Sequence, residues 1–400
     1  MGKFTAQDNP LLGQTIENHM ARIVEAVRSN MEPIAIILRG SFGRGEGSVA
    51  VNKDQFQFYS DYEIDVATYS PLYRSLFKRL SRQLTRELNV DTSLRWVRPD
   101  FLEKDRIGPL VVGPAPISIS LYESRYGSLV LYGDDFIHSS AEIDPSAIHK
   151  EDGIILVLNR MAESMLYMGG SGSSNEKSQE SYYWVNKTIL ACTEALLLLW
   201  GRYHYSYAER GRRFAGMADQ QLDFLPDGGV NLVRLVDRAT RFKLNPDPAL
   251  YAEPVKDIWK TIIPIVDLVF LHLAEQILTI EPGAYEEFPG RFLKSISERS
   301  GRLNLPATLG QKLLEAYRSL RAHHYPPAYF SYRDLDHIVY AIVPLVFHCQ
   351  ASDDCAQTLR TARQWMVLLG TLERPSQDLT LERDYLRQKL TWFWKIYCYG

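Results

Sequence analysis

The chain has 400 residues, of which 46% are apolar and 23% charged, with a formal net charge of −3. Its length exceeds one comfortable hydrophobic core, so two domains are expected, and its composition excludes a disordered or low-complexity chain. The near-neutral balance gives no bulk signal for nucleic acid, although a local basic patch is compatible with it.

Met1–Pro10 is polar and lacks the apolar segment of a signal peptide. Leu12, Ile16, Met20, Ile23 and Val27 recur at spacings of three and four, which predicts an amphipathic helix. After Pro33, residues 34–38 form a short apolar run suited to a buried strand. A glycine-dense loop occupies 40–47. Residues 49–58 alternate around Asn52 and Asp54 as a hairpin would. Tyr62, Ile64 and Val66 alternate with Asp61, Glu63 and Asp65, the pattern of a strand with one acidic face. Leu72, Leu76, Leu80, Leu84 and Leu88 predict a second helix. Segments 90–97, 117–122 and 129–132 read as strands, the last two joined by a turn near Gly127.

The character changes after about Pro145. Residues 154–168 read as a helix, and 169–174 as a flexible Gly/Ser connector. From Tyr182 onward helix-length amphipathic segments dominate. The expected organisation is a mixed α/β domain over 1–145, with helices flanking the sheet, followed by an all-α domain over 150–400 with a connector near 169–180. The apolar runs 189–200 and 262–273 are short or carry a charge (Glu194, Asp267), so they read as buried helices rather than membrane spans. The four cysteines, Cys192, Cys349, Cys355 and Cys398, form no CxxC pair. That speaks against structural zinc and a disulfide framework, and for a reducing cytoplasm.

The chemistry concentrates between Gly40 and Asp65. Four glycines in eight residues (Gly40, Gly43, Gly45, Gly47) allow close backbone approach and let successive N–H groups converge, which suits a phosphate. Ser41 adds a hydroxyl and Arg44 a charged fork. Asp61, Glu63 and Asp65 share one strand face, about 6.6 Å apart in succession. Such a row of carboxylates repels itself unless a divalent cation joins it, and oxygen ligands of this kind favour Mg²⁺ or Mn²⁺. A solvated acidic edge strand is the plain alternative.

A hydrophobic strand, Gly40-Ser41, a gap, and then Ser60-Asp61-Tyr62-Glu63 resemble the signature of the DNA polymerase β-like nucleotidyltransferases. The resemblance covers roughly residues 10–140. It implies triphosphate binding at Gly40 and Ser41 and metal binding at Asp61 and Glu63. A third acid on a later strand usually completes such a site; Asp91 holds the matching place and Glu123 is the rival. Two departures are visible. The gap from Ser41 to Asp61 is longer than the family's, which a hairpin at 49–58 would absorb, and the acid pair is Asp-Tyr-Glu rather than Asp-x-Asp, leaving Glu63/Asp65 as a rival register.

In the helical part, Lys187 lies on an apolar helix, and Tyr203, Tyr205, Tyr207, Arg210, Arg212 and Arg213 follow. Helical domains of this kind often lend a Lys or Tyr to the nucleotide, so Lys187 joins Gly40, Ser41 and Arg44 as an expected nucleotide contact. Packed tyrosines and a solvated basic turn are the plain alternative. Arg318 with His323 and His324 resembles the Arg-x4-6-His motif of HEPN ribonucleases, a short and unspecific match, for which helix-end packing is the alternative. Trp392, Phe393, Trp394, Tyr397 and Tyr399 suit docking on the body of the protein or on a second subunit, which leaves a homodimer open. His138 and His348 stand near no acid cluster in sequence. The expected activity is transfer of a nucleoside monophosphate from a nucleoside triphosphate to an acceptor hydroxyl with release of pyrophosphate. Asp61, Glu63 and Asp91 would serve as metal ligands and catalytic acids, and no membrane would be involved. The acceptor stays open among small molecule, sugar, protein and RNA. An inactive nucleotide-binding platform and an antitoxin-like enzyme acting on a protein or tRNA are the alternatives.

Overall fold

The computed structural model describes residues 2–52, 55–70, 74–99, 117–168, 179–280, 285–299, 317–319, 321–322, 335–370 and 372–398. Helix α1 (Pro10–Arg28) starts where the Asn9 side chain accepts the Leu12 N–H and Pro10 occupies the first turn, and it buries Leu12, Ile16, Met20, Ile23 and Val27. Strand β1 (Ala35–Arg39) is buried along its length and runs into a four-residue helical turn, α2 (Gly40–Gly43). The hairpin β2 (Val49–Asn52) and β3 (Gln55–Phe58) pairs Val49 with Phe58 and forms a sheet of its own. Strand β4 (Tyr62–Ala67), helix α3 (Arg74–Leu88) and strand β5 (Thr92–Val97) follow, then helix α4 (Ile119–Tyr126) and strand β6 (Leu129–Gly133).

The four-stranded sheet has the order β5-β4-β1-β6. Strand β1 is central and antiparallel to both neighbours, and its register sets Arg39 opposite Glu63. Strands β4 and β5 are parallel, and α3 is the crossover between them. Ile36, Leu38, Tyr62, Ile64 and Val66 bury one sheet face in a core shared with α1 and α3. The other face keeps a smaller apolar group, including Ala35, Ile37, Ala67 and Val97, next to the charged residues of β1 and β4.

Segment 117–122 is not the expected strand. Its apolar–polar alternation is that of a β-strand, but Ser118 caps a helix by accepting the Leu121 N–H, and α4 buries Tyr122 and Ser124. Only Ile117 keeps a bridge, to Ile148.

After residue 150 the described residues are helical, with short 3₁₀ turns: α5 (Glu151–Tyr167), α6 (Gln179–Leu199), α7 (Tyr207–Gln221), α8 (Val230–Leu244), α9 (Val255–Leu278), α10 (Phe288–Arg299), α11 (Leu335–His348), α12 (Ala356–Met366) and α13 (Leu379–Tyr397). They share one apolar core that runs from Ile154 to Tyr397. The Gly/Ser connector lies outside the described residues. Helix α9 is longer than its apolar run suggested and is the one described helix long and apolar enough to cross a membrane. Here it packs against α5, α6, α10 and α11, with Ile262, Val269, Phe270 and Leu273 fully enclosed.

Three local readings are resolved by packing. Phe393, Trp394 and Tyr397 are core residues, and the Trp394 indole N–H donates to Asn159; Trp392 alone of that group is exposed, while Tyr399 lies outside the described residues. His348 does have an acid, the buried Asp267 carboxylate at 2.7 Å, and His138 has Asp135 at 2.9 Å. Asp267 lies 81 positions from His348, whereas Asp135 stands only three residues before His138. His323 and His324 lie outside the described residues, and Arg318 donates to the Tyr397 carbonyl.

Candidate functional site

The end of β1 builds the floor of the site. Gly40 adopts φ +63°, and a Cβ there would stand 2.4 Å from Glu63 Oε1. Only glycine both takes this conformation readily and leaves room for the carboxylate. The turn after β1 and the acid on β4 are thus pressed together, as the Arg39–Glu63 register dictates. Burial, and then the neighbouring Asp61 charge, push the Glu63 carboxyl above its ordinary value; Arg39 and Arg44 pull against that shift. Asp61 precedes β4 and is exposed.

Asp65 shares the face but not the role. Arg95 grips it with two nitrogens, at 2.8 and 2.9 Å, and Arg39 approaches at 3.3 Å. With its oxygens taken by guanidinium groups, the Asp61/Glu63 register leaves the freer carboxylates.

Helices from the second half form the roof. Lys187 of α6 lies over the rings of Trp184 and Tyr183, at 4.5 and 5.0 Å. Lys243 of α8 is buried and donates to Ser60 Oγ at 3.0 Å, with the Tyr207 and Tyr183 rings beside it. Neither lysine has a carboxylate within ion-pair distance among the described residues. Desolvation lowers Lys187 to about 8, with Arg160 adding to the shift and Glu163, Asp61 and Glu63 opposing it. Desolvation and then Lys187 lower Lys243 to about 7, against Asp61 and Glu46. Sequence reasoning singled out Lys187 but missed Lys243 and Arg160. Both sit on amphipathic helices at positions that look like solvated charge, and only the packing turns them inward.

Arg44 was expected to hold phosphate, and the structure employs it otherwise. Its guanidinium pairs with Glu123 at 2.8 Å, donates to the Tyr205 carbonyl at 3.2 Å and lies over the Tyr207 ring. Glu46, two residues on, accepts from Ser206 Oγ, Tyr207 N and Ala208 N at 2.7, 2.7 and 3.1 Å, so it caps α7. Arg210 completes this clasp. It is 1% exposed, and it binds Glu123 at 2.6 Å, Glu194, and the carbonyls of His204 and Tyr205. Arg44 and Arg210, with the Tyr203 hydroxyl, hold Glu123 well below the usual carboxylate range against the pull of burial. The second half of the 40–47 loop is therefore a joint to the helices. Gly43 and Gly47 serve close packing there, against the Leu38 carbonyl and the Phe42 ring. Arg212 and Arg213 pair with Glu209 rather than face the cleft.

The third acid is not brought to the pair. Asp91 is exposed, its carboxylate reaches Thr85 Oγ1 at 3.5 Å, and it lines a groove along α3. Its rival, Glu123, is enclosed in the clasp. Among the described residues no group of three or more His, Cys, Asp or Glu side chains is arranged to hold a metal ion. Two carboxylates still fit one Mg²⁺, which commonly takes one or two protein carboxylates and completes its shell with water and substrate phosphate oxygens. The crowding of Glu63 and Asp61, which raises Glu63, is relieved by a cation of that kind. Compared with models of protein families, with curated proteins and with solved structures, the chain matches none.

Proposed function

We infer that the chain is a metal-dependent nucleotidyltransferase, with a catalytic domain over residues 1–145 and a helical domain over 150–400. The observation that carries this reading is the charge cluster in which Glu63, pressed against Gly40 beside Asp61, lies within electrostatic range of Lys187, with Lys243 near Asp61, two lysines that form no ion pair among the described residues. Acids beside cations that have no ion pair among the described residues suit a triphosphate with its metal. Asp61 and Glu63 would hold Mg²⁺ or Mn²⁺, which supplies charge neutralisation at the phosphates. Gly40 and Ser41 line the turn where the phosphates approach, and Lys187 and Lys243 would meet their oxygens from above. The Tyr183 and Trp184 rings offer surfaces against which a base can stack. The acceptor oxygen forms a bond to the α-phosphorus, the α–β bridging P–O bond breaks, pyrophosphate leaves, and the hydroxyl proton passes to water on the open Asp61 side. Alignment and charge stabilisation supply the rate.

Calorimetric titration of ATP, CTP, GTP and UTP with Mg²⁺ tests this. Wild type is expected to bind at least one of them with metal dependence, and Asp61→Ala/Glu63→Ala to lose that binding about a hundredfold or more. Equal affinity in the double variant would sink the assignment. A second reading is favoured by the displaced Asp91: a chain that binds nucleotide without transferring it. Metal-dependent binding without pyrophosphate release, across small-molecule, sugar, protein and RNA acceptors, would select it.

A further inference from the structure

One surface is out of keeping with a chain of net charge −3. Helix α3 carries Lys78, Arg79, Arg82 and Arg86 on its exposed side. Its one acid, Glu87, is engaged by Arg22 at 2.9 Å. None of the four cations forms an ion pair among the described residues; the Arg86 guanidinium reaches only the Arg82 carbonyl. Lys78, Arg82 and Arg86 stand four residues apart, so they form one row, about 6 Å per step and about 12 Å from first to last. Like charges at this spacing repel, and a polyanion laid along them removes the repulsion.

The row has a direction. Thr85 Oγ1 accepts the Thr92 N–H and Ser81 Oγ accepts the Leu94 N–H, so the later turns of α3 lie against the start of β5. A groove of about 550 Å³ opens there, lined by Ser81, Arg82, Thr85, Arg86, Asp91 and Thr92. The Asp91 carbonyl accepts the Tyr62 N–H at 2.8 Å. The Arg86 end of the row therefore meets the sheet at the residue next to Asp61, at the edge where Gly40 and Glu63 also lie.

Building on the nucleotidyl-transfer reading, we propose that the Lys78–Arg82–Arg86 row and the groove at Asp91 hold the backbone of a single-stranded RNA whose terminal hydroxyl is the acceptor. One row of cations suits one strand rather than the two backbones of a duplex. Asp91 would repel a phosphate, but a carboxylate accepts a hydrogen bond from a ribose 2′-hydroxyl, the group that distinguishes RNA from DNA. A membrane surface fits less well: the exposed large hydrophobic side chains, such as Leu11, Tyr69 and Leu381, lie off α3, and interfacial helices need apolar anchors. In the transfer itself the strand gains one nucleotide and pyrophosphate is released.

The test is fluorescence anisotropy of a labelled single-stranded RNA of about twelve nucleotides on the full chain, across roughly 25–200 mM salt. Four phosphate contacts, three from the row and one from Arg79, give a log–log slope near about −3 for a single strand. Lys78→Gln/Arg82→Gln/Arg86→Gln is expected to weaken binding by about tenfold or more at 50 mM salt and to flatten the slope to about −1. Mg²⁺-dependent nucleotide binding in that variant is expected to be unchanged, which separates failure of this surface from failure of the nucleotide site. If the triple variant does not fold, Arg82→Gln alone should flatten the slope by about 0.7. Unchanged RNA affinity and slope in the variants overturn the proposal, as does the absence of RNA binding in wild type. Binding to phosphatidylserine vesicles without RNA binding overturns it in favour of a membrane surface. DNA of the same sequence held as tightly as RNA, with no change on Asp91→Asn, overturns the hydroxyl contact.

Discussion

Two clusters of buried charge lie on either side of the 40–47 loop, and they are built on opposite plans. In the clasp, Glu123 meets Arg44 and Arg210, Glu46 meets three donors at the start of α7, and Arg210 uses carbonyls for its remaining hydrogens. In the other cluster, Lys187 and Lys243 have rings and a hydroxyl in contact but, among the described residues, no carboxylate within ion-pair distance, while Glu63 is buried and crowded by Asp61. Burying charge is costly unless partners are supplied. A cluster that supplies them internally is a joint; the cluster that leaves them out is the one to which the proposed nucleotide site is assigned.

The largest effect should come from breaking the joint. Arg210→Met leaves Glu123 and Glu194 short of their shared cation in an enclosed space. It should cost about 3–5 kcal/mol of stability, read as a shift in the denaturant midpoint with an unchanged slope. A loss under 1 kcal/mol would mean that the clasp does not hold the two halves together.

Acid titration sharpens the same contrast. The folded pKa of Glu123 lies below its unfolded value, so its stabilising contribution is present above about pH 4.5 and is lost as pH falls toward about 2. The integrated effect is on the order of 3 kcal/mol. Glu123→Gln should start less stable at pH 7 and lose less than wild type across that window. Parallel losses in the two proteins would remove Glu123 from the account.

The smallest effect has the opposite sign. Lys243 is depressed, so without a ligand its charge weighs against folding below about pH 7, and that cost fades as pH rises toward the unfolded value of 10.5. Lys243→Met should stabilise the nucleotide-free protein by about 2 kcal/mol at pH 6, with less gain at pH 9, while weakening triphosphate binding. Melting curves at the two pH values decide it. Destabilisation at pH 6 would place Lys243 with the joint instead.

Local pattern carried part of this architecture. The heptad-like spacing of α1, the leucines of α3, the apolar run of β1 and the hairpin at 49–58 each express a period that one element satisfies alone. The closeness of Glu63 to Gly40 is suggested in the sequence only through the resemblance carried by Gly40-Ser41 and Ser60-Asp61-Tyr62-Glu63, and it is the Arg39–Glu63 register that produces it. Segment 117–122 failed because six residues of alternation do not separate a strand from a helix that Ser118 can cap. The partners of Arg44, Asp91 and Lys243 are not legible in the sequence for a different reason. Whether a charged side chain points to a ligand, a groove or a buried partner depends on residues far along the chain, such as Glu123 for Arg44 and Ser60 for Lys243.

The clasp also bears on the order of assembly. Glu46 and the groups it caps are separated by about 160 positions, as are Arg44 and the Tyr205 carbonyl. Contacts that distant form late, because a long loop must close before any of them is made. During synthesis the sheet and α1 can settle around their own apolar core while Arg44 and Glu46 remain hydrated. Only when α7 has emerged can the two charges be withdrawn from water. The cluster of acids and lysines is complete only once α8 has followed α7, so a chain that stalls before α7 carries Asp61, Glu63 and Lys187 but lacks Lys243.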